Sequence, residues 1–174
     1  MKNEKSIYLD TLKDDDLGLM FQWINNREEV IASAPYKPVP IHEHKRWFEE
    51  IQKKDDVVIF GIRLIKNNIL IGSCQLHSIH KIHKDAELQI RIGDLEQREK
   101  GHGSEAMRLL LRFGFKDLNL HRIWLRVFST NQRAIRLYEK AGFAREGILR
   151  QAAFINGGYV DVWVMGMLAE EFRD

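Results

Sequence analysis

The chain has 174 residues, 44% apolar and 30% charged, which suits one globular domain with a real core. No apolar run approaches the ~20 residues that cross a bilayer, and the start MKNEKSIYLDTL has no apolar signal core. A lone cysteine, Cys74, excludes an internal disulfide framework and makes a reducing cytoplasm the default, while a net charge of +2 is too small to argue for nucleic acid.

SIYLDTL alternates and predicts a first strand. DDDLGLMFQWINN follows, with acids at its start and Leu17, Phe21 and Ile24 at helical spacing, an amphipathic helix. SAPYKPVPIHEH holds all three prolines and predicts an irregular loop. His44, Trp47, Phe48 and Ile51 then recur at helical spacing, giving a second helix that ends near Lys53 and Lys54. VVIFGIRLI and ILIGSCQLHSI flank KNN, a hairpin pattern. AELQIRIG alternates: Ala86, Leu88, Ile90 and Ile92 face one way, Glu87, Gln89 and Arg91 the other. A glycine-rich loop leads into a helix from about Ser104 to Asp117. HRIWLRVF is a strand, NQRAIRLYEKAGF a helix closed by Gly142, and GILRQAAF and VDVWVMGML are the last strands. With no repeat, low-complexity segment or linker, residues 1–174 read as a single α/β domain, a mixed sheet with helices on both faces.

The loop before the third long helix places Arg98, Lys100, Gly101, His102 and Gly103 ahead of Ser104. Glycines let backbone N–H groups approach a ligand closely, and a helix N-terminus adds unpaired donors and roughly +0.5 charge. Together they favour a phosphate or pyrophosphate, although glycines can also serve a turn alone. A P-loop fails, since no lysine follows Gly103. Gly101 to Ala106 matches G-x-G-x-x-A literally, but the preceding strand ends near Ile92 and the next carries no acid, so a dinucleotide fold is disfavoured. Further on, Asn131, Ala134, Ile135 and Tyr138 share one helix face. Asn131 and Tyr138 lie about 10 Å apart at ~1.5 Å per residue, a span that suits an extended ligand. Taken singly, Tyr138 also reads as a core-edge tyrosine and Asn131 as a helix cap.

These motifs in this order, AELQIRIG, R-x-x-G-x-G with its helix, HRIWLRVF and N-x-x-A-x-x-L-Y-x-K-x-G-F, resemble the GNAT superfamily of acetyl-CoA-dependent N-acetyltransferases over about residues 85 to 145. EGILRQAAFINGGYVDVWVMGML is similar to the C-terminal strands of bacterial spermidine acetyltransferases and ribosomal-protein N-terminal acetyltransferases. The resemblance implies a mixed, mostly antiparallel sheet with a splayed central strand pair, and acetyl-CoA as co-substrate with no metal. It further implies that the backbone of Ile90 and Ile92 binds the pantetheine. Backbone N–H groups from Arg98 through Lys100, Gly101, His102 and Gly103 to Ser104 would hold the pyrophosphate. Asn131 would bond the cofactor arm beside Ala134, and Tyr138 would sit near the sulfur. Arg133, Arg136 and Lys140 read either as nucleotide-phosphate contacts or as a solvated face.

Acetyl transfer to an amine needs a neutral nucleophile, an oxyanion donor and an acid for the leaving thiolate. Glu87, the only carboxylate on the polar face of AELQIRIG, is the candidate base, with a salt-bridged glutamate as its alternative. Tyr138 is the candidate acid. His77, His80 and His83 recur at a spacing that suits neither a helical nor a strand metal pair, and HSIHKIHK reads as a connection between strands. Cys74 lies mid-strand with no base. The basic residues are not interleaved with aromatics, which disfavours nucleic acid.

Acceptor specificity is expected in the N-terminal third. Only Glu28 and Glu29 are placed for a polyamine, and SAPYKPVPIHEHKRW is more basic than acidic. WINNREEV with PIHEHKRWFEEI is closer in pattern to acetyltransferases of nucleotide-linked amino sugars. A small-molecule amine is favoured over a protein N-terminus, no membrane partner is expected, and the resemblance raises a homodimer through the last strands. A binding module that holds acetyl-CoA without transferring it is the alternative of another class.

Overall fold

The computed structural model describes residues 5–174. Its seven strands are β1 (Ile7–Asp10), β2 (Val58–Leu64), β3 (Leu70–His80), β4 (Asp85–Ile92), β5 (Arg122–Phe128), β6 (Ala144–Ile155) and β7 (Gly158–Leu168). They form one sheet in the order β1-β2-β3-β4-β5-β7-β6. Every neighbouring pair is antiparallel except β4 with β5. The helices are α1 (Leu17–Asn25), α2 (Arg27–Val30), α3 (Ile41–Ile51), α4 (His102–Arg112) and α5 (Gln132–Ala141). The expected order holds, with the short α2 added where Asn26 breaks the first helix in an extended conformation.

Alternation along β4 divides the molecule into two faces. Ala86 and Leu88 are buried in the main core with Met107, Leu110 and Leu111 of α4 and Ile135 of α5, and Ile90 and Ile92 pack against it. On the other face α1 and α3 bury Met20 and Phe48 with Leu12 and Leu70 in a second, smaller core. Acids at the start of α1 do more than favour a helix N-terminus. Asp16 Oδ2 accepts the Lys13 N–H at 2.8 Å and is paired with Arg63 Nη2 at 2.6 Å, both side chains being buried. The proline loop is irregular as expected, and Asn25 pins it by exchanging hydrogen bonds with the Val39 backbone at 2.9 and 3.1 Å.

Three expectations are corrected. α4 begins at His102 rather than Ser104, and its last turn, Phe113–Asp117, widens into a π-helix closed by Leu118 N–H to Phe113 C=O. His77 and His80 belong to β3 instead of a connection, because the hairpin to β4 turns only at residues 81–84. β4 begins one residue early, so Asp85 joins Glu87 as a second carboxylate of the same parity. Among the described residues no helix is long and apolar enough to cross a membrane.

Gly93, just past β4, lies against the ring of Trp23 so closely that a Cβ would overlap the indole. Gly93→Ala must therefore push α1 off the end of β4. Overpacking of this kind costs about 1–3 kcal/mol, and a lowered midpoint in chemical denaturation is the expected result.

Candidate active site

β4 and β5 pair only through Asp85, Ala86 and Glu87, opposite Arg122, Ile123 and Trp124. Beyond that rung the strands diverge, while β5 stays bound to β7 up to Phe128. Gly93 N–H donates to Ile71 C=O at 2.9 Å. By the two-residue alternation of an antiparallel ladder, Arg91, Gln89 and Glu87 also bond toward β3, and Leu88, Ile90 and Ile92 turn their N–H and C=O groups toward the gap. Backbone groups without a ladder partner need another donor or acceptor. The Ile92 carbonyl takes Arg98 Nε–H at 3.0 Å, and Ile90 lies beyond the last β4–β5 rung.

The loop after β4 ends at Gly101, whose φ of 86° lies in the left-handed region that favours glycine. Glu105 N–H is the first to bond back, to Gly101 C=O at 3.1 Å, which leaves the N–H groups of His102, Gly103 and Ser104 at the open end of α4. A Cβ on Gly103 would stand 3.9 Å from Ile92 and 3.8 Å from Leu137, so this end faces both β4 and α5. The cations of the motif do different work. Arg98 is ion-paired with Glu29 of α2, and the His102 side chain is buried, its Nδ1 3.0 Å from Ser6 Oγ and its pKa lowered by burial. Lys100 stays at the surface, 3.4 Å from Gln97.

Asn131 caps α5: its Oδ1 accepts the Ala134 N–H at 3.1 Å and its Nδ2 donates to Ala32 C=O at 2.9 Å. Asn131 is thus a helix cap here, and its amide also ties the start of α5 to Ala32. Ala134 lies half-buried on the same face, and Tyr138 is buried edge-on to Phe143. Burial pushes the Tyr138 phenol up to about 12, and among the described residues its hydroxyl has no hydrogen-bond partner. It is a protonated acid throughout the neutral range.

Glu87 occupies the opposite face at the last paired rung, 5% exposed. Arg126 of β5 grips it with two bonds, Nε to Oε1 at 2.9 Å and Nη2 to Oε2 at 3.0 Å. The guanidinium also lies over Trp124, 5.7 Å from its ring centre, and Arg122 lies over the same ring at 5.8 Å. His77, directly opposite Glu87 on β3, has Nε2 3.9 Å from Glu87 Oε2. Beside it a cavity of about 240 Å³ opens under α3, lined by Trp47, Glu50, Lys54, Asp56, Gln75 and His77. Gln75 Oε1 and His77 Nε2 are buried there without a hydrogen-bond partner. Sequence reasoning missed Arg126 and His77, because only the strand register brings them to Glu87. Cys74 is buried, which drives its thiol pKa upward. Among the described residues no group of His, Cys, Asp and Glu gathers with metal-binding geometry; His80 and His83 stack on one another at the surface.

The segment from α2 to Ser33 bridges the divergence. Glu29 binds Arg98 and Ser33 accepts from Arg91 on the β4 side, while Ala32 binds Asn131 and Arg27 binds Asn156 on the other. Glu28 is exposed and Glu29 is committed to Arg98, so the acidic pair does not form a polyamine pocket.

The cradle is tested at Gly101. Valine there must adopt an unfavourable positive φ, at a cost of roughly 1–2 kcal/mol or more. A Gly101→Val protein that stays folded by circular dichroism should bind coenzyme A about tenfold or more weakly by calorimetry.

The comparisons with known proteins agree with this geometry. The family model for the acetyltransferase (GNAT) domain matches residues 6–144. Spermidine N(1)-acetyltransferase of Vibrio cholerae is 42% identical over 103 residues, 59% of this chain and 59% of that protein, so the chain spans about three-fifths of this curated relative. The probable N-acetyltransferase YjcK of Bacillus subtilis is 36% identical over 97% of both chains. The crystal structure of spermidine N-acetyltransferase from Vibrio cholerae in complex with CoA and spermine superposes with a TM-score of 0.90 at 31% identity, covering 97% of this chain and 98% of that one. A sheet parted between β4 and β5, a glycine-opened helix at the gap and matches of this extent lead to one conclusion: the chain belongs to the GNAT acetyltransferase family.

Proposed function

We propose that this protein transfers the acetyl group of acetyl-CoA to a primary amine of a small-molecule acceptor by direct attack. The observation that carries this reading is the divergence of β4 from β5, with the Ile90 backbone beyond the last paired rung, the open end of α4 beside it, and Glu87 on the other face at that rung. Acetyl-CoA, when bound, supplies an activated carbonyl and a thiolate leaving group. Backbone groups of Ile90 and the N–H of Ile92 orient the pantetheine and the acetyl carbonyl. The N–H groups of His102, Gly103 and Ser104, with Gly101 letting the chain turn, hold the pyrophosphate.

An alkyl ammonium has a pKa near ~10 and must lose a proton before it attacks. Glu87 receives that proton, directly or through one water. To do so it releases Arg126, whose guanidinium side chain is 54% exposed and has room to swing away. An N–H at the parted strand polarises the carbonyl as the N–C bond forms. Tyr138, still protonated because burial holds its pKa at about 12, gives its proton to the departing sulfur.

For the acceptor, the cavity beneath α3 supports a short polyamine. Its about 240 Å³ suits a slender chain, and the carboxylates of Glu50 and Asp56 line it to meet ammonium groups. The relatives named for spermidine support the same class. A nucleotide-linked amino sugar is the second reading, favoured by Arg122 and Arg126 around Trp124, a surface able to meet an anionic diphosphate. Exposed Ile148, Leu149, Phe154 and Tyr159 on the β6–β7 hairpin support self-association of the protein.

Thiol release from acetyl-CoA against polyamines, nucleotide-linked amino sugars, aminoglycosides and short peptides tests the reading. Release with one class identifies the acceptor; tight acetyl-CoA binding with no release from any class would instead favour a binding module. Tyr138→Phe should lower turnover by roughly one to three decades with acetyl-CoA binding nearly intact; unchanged turnover removes its role as acid. A base works only when deprotonated, so the rate should rise with pH along an acid limb, and Glu87→Gln should displace that limb. A limb that stays in place puts the base elsewhere.

A further inference from the structure

Among the described residues His77 is the ionisable neighbour of Glu87 that the proton transfers above do not use. Its Nδ1 lies 3.1 Å from Ser78 Oγ, while Nε2 is buried, unpartnered and 3.9 Å from Glu87 Oε2. An imidazole that donates from Nδ1 to the Ser78 hydroxyl presents a lone pair at Nε2, aimed at the carboxylate. The same ring lines the cavity under α3, so it touches Glu87 on one side and solvent-accessible space on the other. Glu87 itself is 5% exposed, with both carboxylate oxygens held by Arg126.

We propose that His77 relays the acceptor's proton from Glu87 into the cavity beneath α3. The inference rests on the acetyl-transfer reading. Of the protons on the acceptor ammonium, two leave. One makes good the proton that Tyr138 gives the sulfur as the C–S bond breaks. The other passes from the protonated Glu87 to His77 Nε2, then from the imidazolium to water in the cavity. Shortening the gap by about 1 Å, once Arg126 lets go, brings the two groups within hydrogen-bond reach. Burial lowers the His77 pKa; Glu87 opposes this, Arg126 adds to it and Asp56 opposes it, and Glu50 of α3 and Lys54 just beyond that helix line the same cavity. A neutral imidazole with a low pKa accepts the proton briefly and gives it up readily. His77 is thus a positioning and relay group that acts through Glu87.

Chemical rescue distinguishes this role from a structural one. With spermidine as the acceptor, His77→Ala and His77→Gln should each lower kcat by roughly ten- to hundredfold with KM for acetyl-CoA unchanged. Added imidazole should restore His77→Ala, whose enlarged cavity admits the ring, and leave His77→Gln slow. Undiminished kcat in both variants, or a loss that imidazole does not repair in His77→Ala, overturns the proposal. A second measurement needs no acceptor: the His77 imidazole is titrated by NMR in the wild type and in Glu87→Gln. Its pKa should fall in the variant, because the carboxylate that raises it is gone; an unmoved titration overturns the relay. Absence of thiol release from wild type with spermidine would count against the polyamine reading, and the NMR titration would then decide the relay alone.

Discussion

Everything at the site depends on β4 and β5 ceasing to pair after Glu87. A parallel pair inside a sheet normally satisfies both strands along their length. Here one strand is left with inward-turned polar groups in the middle of the sheet, and buried backbone without partners costs free energy comparable to a lost hydrogen bond for each group. The fold keeps such a gap because the flanking ladders are complete: β3 holds β4 to its end, and β7 holds β5 to Phe128. The opening is therefore flanked by paired strands on both sides, and under the proposed function a ligand there supplies the missing partners.

The surrounding contacts read as devices that hold the two lips at a fixed separation. Arg98 is central among them. The sequence suggests an anion-binding cation, but its guanidinium is spent on the Ile92 carbonyl and on Glu29. In the proposed reading, that choice leaves the phosphates to backbone N–H groups and the helix dipole, which cannot swing away as a long side chain can. It also ties α2 to the end of β4. Asn131 performs the matching task on the β5 side through Ala32.

Much of this is local and therefore legible in the chain. The alternation of AELQIRIG, the positive-φ requirement met by Gly101, the cap at Asn131 and the stop at Gly142 are each set by a few neighbouring residues, and each is found in place. What periodicity cannot supply is register. Arg126 and His77 lie 39 and 10 positions from Glu87, and only the pairing of β4 with both neighbours makes the three adjacent. The reading of HSIHKIHK as a connection failed for a related reason. Polar residues on a strand that faces a cavity look like loop residues, and Ser78 at φ 53° interrupts the regular pattern. Sequence proximity to Glu28 likewise says nothing of the pairing of Glu29 with Arg98 across the gap.

Strand geometry also explains how, under the proposed function, one eight-residue element could serve two substrates at once. In β4 the residues whose side chains enter the α4 core, Leu88, Ile90 and Ile92, are those whose backbone groups point into the gap. The residues whose backbone is fastened to β3, Glu87, Gln89 and Arg91, are those whose side chains stand on the opposite face. One parity therefore offers an immobile in-plane rail, anchored by its own buried side chains. The other offers side-chain chemistry on a backbone already satisfied. The two sets cannot exchange roles without moving the whole strand by one residue, which would expose the core-facing side chains. The placement of a carboxylate next to a strand edge with free backbone groups thus follows from the two-residue period of the strand, and the divergence of β5 is what opens both.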